Sequence, residues 1–276
     1  MKNVFDFNRF GKFFTYELNN AKASCGLSLL ILGLMPAIIL SGQAIFSFIF
    51  THQFQPVGME MKKVMLTICL FILVISLPVR LYGKLTEKKK GSDWLMIPAS
   101  GLEKFLAMII IVCIVLPLCF FVLFYGSDSI LSVVFPNFYG SSLTSVHIHR
   151  FSLFGDYGND FSGLIAPSRS GVIVLLLASL FINMLSFTLG AICFKRGKGG
   201  KTILCYFALS IILSILLVCI FGHGGSINAD DFESFIADMT PQKAQNFINT
   251  IINVPLILFL GGLLTAIYFR IKTIKH

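Results

Sequence analysis

The chain has 276 residues, of which 56% are hydrophobic and only 13% charged, and it carries a formal net charge of +9. A soluble domain has about a quarter of its residues charged, so this composition excludes an ordinary water-soluble fold. The positive charge does not point to nucleic acid either, because the basic residues stand in short stretches beside apolar runs, as membrane topology signals do.

Residues 1–26 form a charged and aromatic arm. Phe7, Phe10, Phe14 and Leu18 fall on one helical face and Arg9, Lys12, Tyr16 and Asn19 on the other. This spacing predicts an amphipathic helix lying flat in the inner headgroup layer, or else a plain apolar juxtamembrane arm. The charged stretch is too long, and the apolar run after it too long, for a cleavable leader. Six apolar blocks follow, at about Leu27–Phe50, Val64–Tyr82, Phe105–Tyr125, Gly171–Phe194, Thr202–Phe221 and Ile248–Phe269. Each has the roughly 20 residues a helix needs to cross a bilayer core. Gly33, Ala37 and Ser41 give the first block a small-residue stripe, and Pro36, Pro78, Pro117 and Pro255 mark expected kinks.

The basic residues orient these blocks. Of 22 Lys and Arg, only Lys62, Lys63, Arg150, Arg169 and Lys243 fall on one side. The side rich in Lys and Arg is the cytoplasmic one, so both termini are expected inside. The expectation is an all-α polytopic membrane protein, a single transmembrane domain over 1–276 with no soluble domain on either face.

The segments between the blocks offer little chemistry. Polar residues within them, such as Gln43, Ser76, Ser179, Asn183, Ser186, Ser210, Ser214 and Asn253, are expected to hydrogen-bond between helices. Six of the seven cysteines lie in the blocks and Cys25 just before the first, as small apolar side chains do. His147 and His149, with Asp156 and Asp160 nearby, lack a pattern that would fix a metal. Asn228–Met239 reads as a short acidic outer helix, and Thr240-Pro241 as the cap and first turn of a long last helix. Gly200-Lys201-Thr202 copies the end of a phosphate-binding loop, but Lys195 stands where its first glycine belongs, and a membrane block precedes it. No catalytic, cofactor or metal site is expected, and no enzyme activity in the chain itself.

The segment between the second and third blocks is different. It reads Glu87-Lys88-Lys89-Lys90-Gly91-Ser92-Asp93-Trp94-Leu95-Met96-Ile97-Pro98-Ala99-Ser100-Gly101-Leu102-Glu103-Lys104. Ser92 or Asp93 can start a short helix that Pro98 ends, and Ser100 can cap the next with Glu103 completing a capping box. A stubby helix carrying Trp94, Leu95 and Ile97 is expected to project from a charged loop, either tucked into the membrane interface or docked in a partner.

These residues resemble the cytoplasmic loop of type-2 ABC exporter permease subunits, in Glu87, Gly91, Ser92, Leu95, Pro98, Ser100, Glu103 and Lys104. They are closer still to six-span bacterial permease-like proteins with a Leu-Pro-Ala-Ser-x-x-Glu-Lys loop, Ile97 replacing the leucine. The resemblance implies that this loop is a coupling helix, that a separate ATPase subunit binds it, and that a second membrane subunit makes a homo- or heterodimer. The function it implies is ATP-driven export. A membrane protein with no transport cycle, serving as an accessory or assembly factor, is the alternative.

Overall fold

An apolar chain in lipid has no water to satisfy its backbone N–H and C=O groups, so each segment must bond internally as a helix. The computed structural model describes residues 5–51, 57–86, 91, 94, 96–145, 169–195, 197–222 and 241–273, and these are helical with no strand among them. Helix α1 spans Phe7–Gly33, and α2, Met35–Phe46, continues into a π-helical turn over Ser47–Thr51. Helix α3 spans Met59–Tyr82 and tightens into a 3₁₀ turn over Gly83–Thr86. Helix α4, Gly101–Ile109, passes through a π-helical stretch at Ile110–Val115 into α5, Leu116–Val134. The one-turn α6 is Pro136–Tyr139, followed by α7 over Arg169–Cys193, α8 over Lys198–Gly222 and α9 over Pro241–Thr273.

Among the described residues, Met59–Thr86, Gly101–Val134 and Asn253–Thr273 are long and apolar enough to cross a membrane. A fourth crossing is present if Phe7–Gly33 and Met35–Ile49, bent by 46°, are one broken span, and Leu177–Cys193 is a shorter apolar helix. Helix α9 is helical from Pro241, the first described residue of this stretch, and Thr240, expected to cap it, lies outside the described residues. His147, His149, Asp156, Asp160 and the acidic segment Asn228–Met239 lie outside the described residues.

The first helix differs from the sequence expectation. No break separates an arm from a span near Leu27; α1 runs unbroken to Gly33 and the bend comes at Leu34. Backbone accounting explains its position. Pro36 has no N–H to offer the preceding turn. The Ala37 N–H reaches Leu34 O at 3.0 Å, which frees the Gly33 carbonyl. Ser127 Oγ on α5 donates to that carbonyl at 2.9 Å, so the break costs no orphaned acceptor. Gly33 also lets α1 and α5 approach closely, since a Cβ there would lie 2.5 Å from Leu123 Cβ. The small-residue stripe therefore serves packing within the chain at Gly33, while Ser41 is exposed.

The packed face of α1 is also not the predicted one. Phe7 and Leu18 are exposed, whereas Phe13, Glu17, Ala21, Cys25, Leu29 and Leu32 are buried against the other helices. Pro117 leaves Gly101–Val134 a single helix. The turns before it widen into the π-helical stretch, and Leu116 N–H bonds five residues back to Ile111 O.

Helix α1 packs against α3, α4 and α5, α3 packs against α7, and α7 carries α8 and α9 on its flanks. Leu73, Leu77, Ala107, Ile111, Phe120, Met184 and Ile267 are among the most deeply buried side chains. Cys25, Cys69 and Cys113 are buried in this core as unpaired thiols. Three of the polar side chains expected to bridge helices turn back on their own. Asn183 Nδ2 donates to Ser179 O at 2.8 Å, Ser186 Oγ to Ile182 O at 2.8 Å and Ser210 Oγ to Phe207 O at 2.8 Å. A helix in lipid gains as much from its own spare carbonyls as from a neighbour's.

Gly197, at φ +63, makes the turn from α7 into α8. Gly200-Lys201-Thr202 thus lies in the first turns of a helix and is preceded by a helix, not by the strand a phosphate-binding loop requires. Gly190 faces this turn at close quarters, since a Cβ there would sit 1.9 Å from Thr202 Oγ1 and 2.8 Å from its Cβ. Gly190→Ala is therefore expected to part α7 from α8 and to destabilise the protein by about 1–3 kcal/mol. Gly200→Ala, which would meet nothing within 4 Å, should not. Melting temperatures of the two variants in the same detergent check this, and equal values would rule the close contact out.

Candidate functional site

The loop between α3 and α4 is built on a capping motif. Ser100 has the extended backbone of an N-cap, accepts from Glu103 N at 3.3 Å, and donates its own N–H to Glu103 Oε2 at 2.8 Å. This is the predicted capping box. Glu103 does more than cap. Arg9 of α1 grips it through Nε to Oε2 at 2.8 Å and Nη2 to Oε1 at 2.6 Å, and the Asp6 N–H adds a bond to Oε1 at 3.0 Å. The carboxylate is fully buried, with four donors aimed at two oxygens. A paired planar guanidinium and carboxylate fix orientation as well as distance, so the start of α4 and the start of α1 form one unit.

The predicted projecting helix is placed differently from the expectation. Gly91, Trp94 and Met96 are helical, and Glu87, Ser92 and Leu95 lie outside the described residues. Trp94 does not project: it is only 7% exposed. Its indole Nε1 donates to Glu17 Oε1 at 2.7 Å, and its ring meets Phe13 edge-on with centroids 6.2 Å apart. Lys104 Nζ donates to the Trp94 carbonyl at 3.0 Å and sits 4.8 Å from the centre of the ring. The reason is the α1 stripe. A buried indole needs an acceptor for its N–H, and Glu17 on the packed face supplies one. Ile97 is half-buried against the core and Pro98 is exposed. Among the described residues of the segment, Met96 is the open apolar side chain, at 80% exposure.

A second polar cluster closes the opposite end of the helices. Lys62 of α3 and Asp128 of α5 are both buried, with Nζ and Oδ1 3.9 Å apart. Lys62 Nζ also donates to Ser141 O at 2.8 Å and lies 3.5 Å from the centre of the Tyr139 ring. Asp128 accepts from Tyr139 OH at 2.6 Å and from Leu143 N at 2.7 Å. Burial, and the carboxylate it donates to, push the Tyr139 phenol above its usual range. The segment 136–143 is thereby strapped over the ends of α3 and α5. Lys104 and Asp128 are 24 residues apart along one helix, about 36 Å at 1.5 Å per residue, so the two clusters bracket a bilayer core of about 30 Å.

The predicted coupling residues divide accordingly. The structure brings Trp94, Ile97, Ser100, Glu103 and Lys104 together on the α1 flank, with Gly91 buried nearby in the chain. Sequence reasoning missed Arg9, Glu17 and Phe13 as their partners, and missed the Lys62–Asp128–Tyr139 cluster. A signal existed for Glu17: it is the one carboxylate in the i, i+4 series Phe13, Glu17, Ala21, Cys25, Leu29. Among the described residues no group of three His, Cys, Asp or Glu side chains could hold a metal ion. Comparison with known protein families, with curated proteins and with solved structures finds no match to this chain.

Proposed function

We propose that the chain is the permease subunit of an ATP-driven, ABC-type exporter, crossing a bacterial cytoplasmic membrane six times with both termini inside. A separate ATPase subunit docks on the loop that ends in Ser100–Lys104, and a second membrane subunit, like or unlike this one, completes the pathway. The observation that carries this reading is the loop itself. Its sequence resembles a coupling helix, and its base is fastened to α1 by Arg9–Glu103 and Glu17–Trp94 while Met96 stands open. A lever needs such a shape: a rigid root and a free apolar contact. Closure of the ATPase pair on ATP pushes the loop, and the polar links carry the push into α1 and α4 together. The result is a shift of population between inward- and outward-open states.

A second reading, a non-transporting accessory or assembly protein, draws on Trp94, which is turned into its own chain and not toward a partner. Extraction in mild detergent from the membranes where the protein is made separates the two. The exporter reading expects a soluble subunit that hydrolyses ATP to be recovered in near-equal amount. A chain recovered alone, folded and without ATPase, favours the accessory reading.

A further inference from the structure

Three cations meet where the end of α3 approaches α1 and the start of α8. Arg80 Nη1 donates to Ser28 Oγ, and Lys84 Nζ donates to Ser24 Oγ at 2.9 Å, making two rungs between antiparallel helices. Lys198 Nζ donates to the Gly83 carbonyl, between the two in sequence, and its side chain lies across Gly83, where a Cβ would meet Lys198 Cδ at 3.2 Å. Every oxygen these cations contact among the described residues is neutral. The ion pairs among the described residues are Arg9–Glu103, Lys62–Asp128 and Lys63–Glu60, so none of the three takes part in one. The described carboxylates at this end are otherwise committed: Asp6 caps α1, Glu17 takes the Trp94 indole, and Glu103 takes Arg9.

Like charges at i and i+4, such as Arg80 and Lys84, repel across about 6 Å, and Lys198 adds a third charge to the corner. An ammonium has three N–H donors and a guanidinium five, so each cation keeps donors beyond the bond it makes here. Among the described residues, the corner holds no anion. Its depth says which kind would fit. Lys62, in the cluster at the other end of α3, is 18 residues from Arg80 and 22 from Lys84. That is about 27 Å and 33 Å, the thickness of a hydrocarbon core, which sets the corner at headgroup level.

We propose that Arg80, Lys84 and Lys198 form a binding site for the phosphate of an anionic phospholipid headgroup. The site needs only the membrane setting and holds whether or not an ATPase docks on the loop. A lipid there ties α3 to α8 through its phosphate and lies along the exposed apolar flank of α8, where Leu204 and Phe207 are open.

The test is lipid titration of the purified full-length chain, read by native mass spectrometry, with phosphatidylglycerol against phosphatidylcholine. Wild type is expected to bind its first phosphatidylglycerol more tightly than phosphatidylcholine. The variant Arg80→Gln/Lys84→Gln/Lys198→Gln should lose that preference by roughly a hundredfold, at about fivefold per basic side chain. Lys12→Gln/Lys22→Gln/Lys272→Gln removes the same charge elsewhere and should shift the affinity by less than about fivefold. Equal losses in the two variants would overturn the site in favour of a diffuse basic field. Displacement of the lipid by millimolar inorganic phosphate would overturn the lipid assignment in favour of a free-phosphate site. Should the triple variant fail to fold, Lys84→Gln alone must still show its fivefold loss, and unchanged affinity there would refute the proposal.

Discussion

Asp128→Ala should cost about 3–5 kcal/mol of stability, the range seen when one partner of a buried ion pair is removed. The change strands the Lys62 ammonium, only 2% exposed, with the Ser141 carbonyl and the Tyr139 ring as its remaining partners. It also removes the acceptor of the Tyr139 hydroxyl and of the Leu143 N–H. The desolvated cation dominates the loss, because a neutral hydrogen bond nets only about 1 kcal/mol. Lys62→Met on the Asp128→Ala background should therefore recover more than half of the loss. Thermal melting by circular dichroism in detergent is the measurement. A single variant as stable as wild type, or a double variant worse than the single one, would mean that the cluster does not hold this end together.

Glu103→Ala should be the next most damaging change. It removes the four hydrogen bonds to the carboxylate and the capping box together. Loss of the cap is worth roughly 1 kcal/mol and a charge-assisted bond about 1.5–3 kcal/mol. Arg9 is 37% exposed at its side chain and can rehydrate, which lowers the total to about 2–3 kcal/mol. The loss should concentrate in the loop. Hydrogen exchange is expected to quicken at residues 5–13 and 96–104 and to stay unchanged around Lys62 and Asp128. Uniform quickening along the chain would argue that Glu103 supports the whole fold and not this junction.

Much of the helical layout was legible because lipid imposes one rule on every apolar stretch, and the cap at Ser100 is a local signal. The packed face of α1 was not legible. Phe7, Phe10 and Phe14 satisfy a helical period as well as Phe13, Ala21 and Cys25 do, and an aromatic face suits lipid and core alike. What decides between them is the neighbour. Small Ala21 and Cys25 are buried, with the Cys25 thiol 3.9 Å from the Leu77 carbonyl of α3, and Glu17 has an indole waiting 77 residues away. Trp94 reads from the sequence as a projecting side chain, tucked into the membrane interface or docked in a partner, because a lone tryptophan in a charged loop gives no sign of an acceptor within its own chain. The pair Lys62 and Asp128 looked like ordinary loop charges because each stands just outside an apolar run. In the fold the 136–143 segment returns over the helix ends and bonds to both of them.

The exporter reading rests on the open face of the loop, where Met96 is the exposed apolar side chain among the described residues. Burial of a large apolar side chain contributes about 1.5–3 kcal/mol, so seating Met96 in an ATPase groove should govern docking. Met96→Asp forfeits that contribution and sets a desolvated charge in the groove. Lys272→Ala, at the far C-terminal turn of α9, serves as the control. The measurement is the amount of ATPase recovered with each form of the protein from the same membranes. Wild type and Lys272→Ala should retain the ATPase, and Met96→Asp should lose it by at least about tenfold while the chain stays folded in the membrane. An ATPase still bound and still coupled in Met96→Asp, or none recovered with wild type at all, would contradict the account.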